Sequence, residues 1–226
     1  MLALPISVCP SPAKEDYLKA IYYLGGETRR VGTADLAGRL DISRPSVTAM
    51  SKRLCAEGLV GHSPRKGVQL TAEGLRATMR VLRRHRLLET FLVEVLGIDW
   101  SEVHAEAEVL EHHVSERVLE AMDRILGHPH CDPHGQMIPD SEDRLPQRRL
   151  TPLGALSAGE QGTVGEVRGG DAARLRRWKE LGLVPGAAVR MVKRQDLEDV
   201  MHLEVAGRPL ATGSEGVEGV FIEIAQ

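Results

Sequence analysis

The chain has 226 residues, of which 42% are apolar and 27% are charged, and its net charge is −3. These values fit a globular protein of one to three domains and exclude collagen-like and disordered chains. No apolar run approaches the roughly 18 residues that span a bilayer, and the N-terminal segment lacks the basic start of a secretory signal, so we expect a cytoplasmic protein with no membrane association.

The charges are unevenly distributed along the chain. Residues 13–86 carry 15 Lys and Arg against 7 Asp and Glu, a balance of +8, whereas residues 87–126 carry 2 against 10, a balance of −8. A polyanion-binding unit followed by a cation-binding unit produces this pattern. Two solvated helical faces of opposite sign remain an alternative.

The first 71 residues predict a winged helix-turn-helix domain. Apolar spacing indicates a first helix over residues 13–24, and two short helices follow, one after Thr33 and one from Pro45 to about Glu57. Apolar residues on both sides of a Pro-Arg-Lys-Gly turn then predict a β-hairpin, the wing. The alternative is a three-helix packing unit without a DNA partner.

Residues 72–150 read as a helical domain that ends in a proline-rich linker. We expect one long helix from Ala72 to about Leu96 and a second from Ser101 to Leu126, the latter with a continuous apolar stripe. A second subunit of a homodimer would cover this stripe, because helix-turn-helix proteins commonly read two half-sites. Packing against the preceding long helix is the alternative cover. Residues 127–152 show no hydrophobic period and predict an irregular connection.

Residues 151–226 predict a small SH3-like β-barrel. Short β-branched runs are separated by glycines and interrupted by one helix, ARLRRWKELG. The predicted fold class is therefore mainly α with small β, in three domains: 1–71, 72–150 and 151–226.

The predicted DNA contacts lie at the start of the second helix of the helix-turn-helix and at the tip of the wing. Hydroxyls and amide groups at a helix N-terminus can hold phosphates, and an arginine can hold a phosphate or read guanine. The candidates for contact with double-stranded operator DNA are Ser43, Arg44, Pro45, Ser46, Thr48, Lys52, Arg65 and Lys66.

A cluster of potential metal ligands occupies the acidic segment. His104, Glu108, Glu111 and His112 stand at offsets of zero, four, seven and eight, which a helix of 3.6 residues per turn brings onto one face. His85 and Glu89 form a further pair with a spacing of four. Stacked carboxylates flanked by imidazoles repel unless a cation lies between them, and nitrogen and oxygen ligands without thiolate favour Mn²⁺ or Fe²⁺.

Two other histidine features carry less weight. His113 falls on the opposite side of the predicted helix. The run HPHCDPH, residues 128–134, has spacings typical of zinc ligands, but it lies in the proline-rich segment without a second paired motif, so we expect a structural or incidental role.

Taken together, the helix-turn-helix and the ligand pattern resemble the diphtheria-toxin-repressor family of metal-dependent transcriptional regulators. The likeness covers almost the whole chain, and its most specific stretches are EDYLKAIYYL, RHRLLETFL, VHAEAEVLEHHVSE, CDPHGQMIP and ELGLVPG. The resemblance implies a homodimeric repressor of metal-uptake genes whose corepressor is a divalent metal.

The resemblance also implies two metal sites. The primary site matches Asp16, Glu108, Glu111 and His112, and the second matches His85, Glu89 and His104 with an added ligand, Glu166, from the SH3-like domain. Iron-responsive relatives have Met and Cys where this chain has Asp16 and Glu108, so its hard carboxylates favour Mn²⁺, with Fe²⁺ as the alternative. The chain departs from two-domain manganese-responsive relatives at Lys19, where they have Glu. It departs from the iron-responsive type at Gly169, where the SH3-like domain of that type has a second, glutamine-like ligand.

Two other functions stay open from the sequence. A metallohydrolase would use Glu108 or Glu111 as general base, but the chain has no His-Glu-x-x-His motif, so we expect no enzyme. A winged-helix regulator that answers to a non-metal effector is the other alternative.

Overall fold

A computed structural model describes residues 11–63, 66–169, 171–195 and 197–224. The chain divides into two compact units, one within residues 1–84 and 139–144, the other within residues 85–138 and 145–226. The division falls inside the fourth helix, whose first half belongs to one unit and whose second half belongs to the other. Among the helices of these described ranges, none is both long and apolar enough to cross a membrane.

The first unit has the element order of a winged helix-turn-helix. Ser43 caps the second helix of the motif by accepting a hydrogen bond from the Ser46 amide, and Asp41 makes the tight turn before it in the left-handed conformation. The elements are α1 (Pro12–Tyr23), α2 (Thr33–Leu40), α3 (Arg44–Ala56), β1 (Val60–Ser63), β2 (Gly67–Leu70) and the first part of α4 (Ala72–Glu94).

One apolar core joins these elements and confirms the predicted winged helix-turn-helix. Val31, before α2, pairs with Val68 of the hairpin and holds the wing on the helices. A buried ion pair between Glu15 and Arg84 joins α1 to α4 inside the same unit. The fully buried members of the core include Leu18, Ile21, Leu36, Val47 and Leu54.

The helical part of the second unit corrects one prediction. A single helix over Ser101–Leu126 is wrong: α5 (Val103–Leu110) and α6 (Glu116–Ile125) are separated by a turn. The cause is the side chain of Ser115, which accepts a hydrogen bond from the Val118 amide at 3.4 Å and so starts a new helix. The apolar stripe is therefore shared by two helices instead of running along one.

The proline-rich segment after α6 is irregular in backbone, as predicted, but it is packed. Asp132, His134 and Ile138 are buried, and Cys131 forms an isolated β-bridge with Met137. Arg86 of α4 donates hydrogen bonds to the Met137 carbonyl and the Gln136 side chain. The segment is therefore part of the second unit's interior.

The C-terminal part is an antiparallel sheet with one helix, α7 (Ala172–Leu181), against it. Its strand order is β3-β8-β4-β5-β6-β7, so β3 and β7 are edges and the sheet is open instead of a closed barrel. Trp100, from the loop before α5, is part of its buried core. The strands are β3 (Thr151–Pro152), β4 (Gln161–Val167), β5 (Ala188–Gln195), β6 (Val200–Val205), β7 (Arg208–Thr212) and β8 (Val220–Ile224).

Candidate metal centre and nucleic-acid interface

Two helices of the second unit bring three predicted ligands together. His85 and Glu89 stand one turn apart on α4, and His104 lies in the first turn of α5. His85 Nε2 is 3.1 Å from Glu89 Oε1 and 3.1 Å from His104 Nδ1, and the last two atoms are 3.0 Å apart. We call these three residues the triad.

The triad brings three potential donor atoms together. Their separations of 3.0–3.1 Å are those of hydrogen bonds, so a bound cation would replace the protons that these groups now share. Two imidazoles and one carboxylate are a ligand set found with several divalent metals, and the carboxylates beside the triad add hard oxygen donors.

The other predicted ligands of α5 lie beside the triad. Glu108 Oε1 is 3.6 Å from His104 Nε2 and 3.9 Å from His85 Nδ1. His85 Nδ1 is 2.7 Å from Glu111 Oε2, and the Glu111 side chain is fully buried. Since α5 ends at Leu110, Glu111 is its C-cap and His112 lies in the following turn, so the four predicted ligands do not share one helical face. The turn nevertheless keeps Glu111 next to His85.

A second group of potential ligands was missed by the sequence reasoning. Glu89, Asp132 and His134 are all buried, and one ligand atom from each lies within 4.8 Å of the others. Glu89 Oε2 is 3.7 Å from His134 Nδ1, while Asp132 accepts hydrogen bonds from the His134 and Gln136 amides. We call this the buried group. The signal in the sequence was the HPHCDPH run, whose partner, Glu89, lies far upstream on α4.

The charges of these groups are strongly coupled. Burial by itself lowers the pKa of His85, but the Glu89 carboxylate and the hydrogen bond to Glu111 outweigh it and raise the pKa to about 10. Burial raises the pKa of Glu89, and the surrounding imidazoles of His85, His104 and His134 reverse that and hold it well below its ordinary value. Burial and the Glu89 charge raise the pKa of Asp132 to about 7.

These opposed shifts show what the centre can do. Three buried carboxylates, Glu89, Glu111 and Asp132, are balanced by imidazoles that take up protons. A divalent cation would replace those protons and supply the positive charge directly. The arrangement is therefore suited to binding a cation.

Two further predicted ligands lie on other elements. Glu166 is buried on β4 and forms an ion pair with Arg168, 2.5 Å from oxygen to nitrogen. Asp16 is on α1 in the first unit. Their roles as ligands stay predictions.

The predicted DNA contacts of α3 form an exposed surface. Ser43, Arg44, Pro45, Ser46, Thr48 and Lys52 are all exposed. The three hydroxyls are engaged locally: those of Ser43 and Ser46 bond each other at 2.8 Å, and that of Thr48 donates to the Arg44 carbonyl. The charged side chains of Arg44 and Lys52 are thus the groups best placed to reach outward.

The wing places one further predicted contact in solvent. Lys66 is exposed in the hairpin turn, where its amide donates to the Ser63 carbonyl. Arg65 lies outside the described residues. An exposed α3 with a basic wing residue has the geometry of a DNA-reading motif.

A winged helix-turn-helix followed by a histidine and carboxylate centre defines a metal-dependent DNA-binding regulator. The comparisons with known proteins agree. Residues 11–68 match the N-terminal DNA-binding domain of iron-dependent repressors, residues 71–140 match their metal-binding and dimerisation domain, and residues 151–224 match the FeoA domain.

Individual relatives extend the match. The iron-dependent repressor IdeR of Mycobacterium tuberculosis is 35% identical over 187 residues, 77% of this chain and 81% of the relative. The transcriptional regulator MntR of Escherichia coli O157:H7 is 41% identical over 107 residues, 47% of this chain and 68% of the relative. A manganese-dependent transcriptional repressor in complex with manganese is 35% identical, with a TM-score of 0.87 over 94% of this chain and all of the other.

The chain belongs to the iron-dependent repressor family. It is a metal-responsive DNA-binding repressor, which confirms the resemblance and the function inferred from the sequence. Because the family consists of DNA-binding transcriptional repressors, the expectation that the protein is not an enzyme is confirmed as well.

Proposed function

We propose that this repressor responds to Mn²⁺, with Fe²⁺ as the competing ion, and controls promoters of metal-uptake genes. The observation that carries the proposal is the triad, whose three donors stand 3.0–3.1 Å apart and are all nitrogen or oxygen. The imidazoles of the triad suit Fe²⁺ as well as Mn²⁺, and the hard carboxylate oxygens of Glu89, Glu108 and Glu111 favour Mn²⁺. The similarity to a manganese-dependent repressor solved in complex with manganese supports the same choice.

We further propose two kinds of metal site with different roles. Glu108, Glu111 and His112 hold one cation, and Asp16 of α1 completes its set of ligands. This cation thereby links the first helix to the metal-binding domain. His85, Glu89 and His104, together with Glu166, hold the second, and the buried group, which shares Glu89 with the triad, holds a cation of its own. When bound, the cation supplies positive charge to the clustered carboxylates, and His85 gives up its proton to offer a lone pair.

By linkage, a cation that binds the DNA-competent arrangement more tightly raises DNA affinity by the same factor. Couplings of this kind are typically about 1–3 kcal/mol, or 5–150-fold in affinity. Asp16 is the residue through which we propose this coupling acts, since it belongs to the helix-turn-helix unit.

The active form that we propose is a homodimer on double-stranded operator DNA. Large apolar side chains of α5 and α6 are exposed: Val109 and Ile125 are 65% and 66% exposed, and Leu110 and Val118 are 37% and 45% exposed. Exposed apolar side chains of this size on two consecutive helices suit contact with another protein surface. The family domain matched by residues 71–140 is described as a dimerisation domain, which supports a second copy as the cover.

Calorimetric titration with Mn²⁺ and with Fe²⁺ under anaerobic conditions, run beside a gel-shift titration of promoter DNA, tests this function. We expect Mn²⁺ to raise DNA affinity about 5–150-fold, the range of ordinary allosteric couplings. Asp16→Ala should remove the effect, while Asp35→Ala, the loss of an exposed carboxylate on α2, should leave it intact. DNA binding of full strength in chelator would favour a regulator of a non-metal effector instead.

A further inference from the structure

The turn that carries Asp132 and His134 packs closely against strand β4 of the C-terminal sheet. The Val167 amide donates to the His134 carbonyl at 2.9 Å. Gly135 follows in the left-handed conformation, at φ +82°, and a Cβ there would lie 2.2 Å from the Gly165 carbonyl oxygen. Since no larger residue fits between turn and strand, the position of His134 depends on the position of β4.

At this point of contact, β4 departs from regular pairing. Its register with β8 shifts between Val164 and Glu166, so Gly165 is the residue of a β-bulge. A bulged residue loses its ladder partner, and its carbonyl needs another donor. The Gly135 carbonyl, in a turn, has the same need.

The Arg148 side chain donates hydrogen bonds to both carbonyls, those of Gly135 and Gly165. Its Nη1 donates to the carbonyl oxygens of Gly135 at 3.3 Å and Gly165 at 3.2 Å, and its Nη2 is 2.5 Å from Glu223 Oε2 on β8. The planar guanidinium offers five N–H donors in a fixed geometry, so one group can bridge a turn, a bulge and a neighbouring strand.

We propose that Arg148 is a positioning residue for the metal site formed by Glu89, Asp132 and His134. This inference rests on the proposed function, because it requires that the buried group binds a cation. Arg148 holds no ligand atom; it fixes the turn that carries two of the three ligands against β4. The C-terminal domain thus acts on the site through the contacts that Arg148 makes with β4 and β8, in addition to any ligand that the domain donates.

The contacts of Arg148 matter because the orientation of the ligands determines metal affinity. Outer partners that orient ligands typically change affinity about 10–100-fold when removed. Without the Arg148 side chain, Asp132 and His134 keep their ligand atoms, but the turn that carries them loses the contact that fixes it against β4. Glu89, on α4, is unaffected.

Arg148→Met, which keeps the aliphatic stem, tests the proposal in the full-length chain. Arg149→Met is the matched control, because Arg149 is the next residue and is exposed. Titration with Mn²⁺, followed by electron paramagnetic resonance of free Mn²⁺ and by calorimetry, counts the sites and their affinities. His134→Ala identifies which affinity class belongs to the buried group.

We expect Arg148→Met to weaken only the class that His134→Ala removes, by about 10–100-fold, with Arg149→Met equal to the unmodified protein. Arg148→Lys should restore part of the affinity. Equal weakening of every class would assign Arg148 a general structural role and overturn the proposal, as would an Arg148→Met titration identical to that of the control.

If Arg148→Met does not fold, Glu223→Gln replaces it, since this variant removes only the charge that anchors the guanidinium. A smaller weakening of the same class is then expected, and no change overturns the inference. Failure of the proposed function looks different: the unmodified protein would bind no Mn²⁺ at all, before any variant is compared.

Discussion

The ring of His134 is held in one orientation by the backbone of Trp100. His134 Nε2 donates to the Trp100 carbonyl oxygen at 2.8 Å, so that nitrogen carries a proton and Nδ1 is the ring nitrogen that faces Glu89. The indole of Trp100 packs 5.3 Å from the imidazole, between ring centres, and is buried in the core of the C-terminal sheet. A ligand on an irregular segment is thus oriented by a well-packed domain.

Replacing His134 should remove one metal site. His134→Ala deletes the Nδ1 donor of the buried group, so we expect calorimetry to show one Mn²⁺ fewer per chain at the concentrations that saturate the unmodified protein. The matched control is His130→Ala, because His130 is exposed in the same segment. An unchanged number of sites would show that His134 is a structural histidine.

Metal binding should release protons. His85 has a pKa of about 10 without metal, so near pH 7.5 it is protonated and must lose this proton to bind a cation. Calorimetric heats measured in buffers of different ionisation enthalpy should give about one proton released from this site, and His85→Gln should abolish that contribution. Heats that do not vary with buffer would contradict the protonated state.

The same shift predicts how pH affects the metal-free fold. The folded pKa of His85, about 10, lies above its ordinary value of 6.5, so its stabilising charge is fully present below pH 6.5 and is lost as pH rises toward 10. Urea unfolding of metal-free protein should therefore show stability falling over this range. In His85→Gln the fall should be smaller, whereas an equal fall in both proteins would assign it to other groups.

The sequence predicted the helix-turn-helix because its signals are local. Pro45 at a helix start, the glycine after the helix and the hairpin turn act within a few residues, and the structure forms the corresponding elements. The ligands on α4 and the start of α5 were also predictable, because a spacing of four places His85 above Glu89 whatever surrounds them.

The rest depended on tertiary contacts. Apolar periodicity continued through residues 111–115, so it did not reveal the helix break that Ser115 capping produces. The proline-rich segment has no period at all, and its burial follows from Arg86 and β4, which are distant in sequence. The pairing of Glu89 with His134 was therefore beyond periodicity arguments.

The exposed apolar side chains of α5 and α6 predict a dimer that single charges disrupt. Ile125→Glu and Val109→Glu should each cost at least about 2 kcal/mol of dimerisation free energy, roughly 30-fold in the dimer Kd. Sedimentation equilibrium over a range of concentrations measures this. Val192→Glu, at an exposed apolar position on β5, is the control and should leave association unchanged. A dimer that tolerates both Ile125→Glu and Val109→Glu would place the interface elsewhere.

The wing lysine should contribute to DNA affinity through a phosphate and carry no sequence preference. Lys66 is an exposed point charge at the hairpin, and a lysine that neutralises one phosphate releases about one counterion. Lys66→Ala should therefore weaken specific and unrelated DNA alike and lower the slope of log affinity against log salt by about 1. Lys193→Ala, on the exposed side of β5, should leave the slope unchanged. Fluorescence anisotropy at several salt concentrations gives the slopes, and a Lys66→Ala slope equal to that of the unmodified protein would remove the wing from the DNA interface.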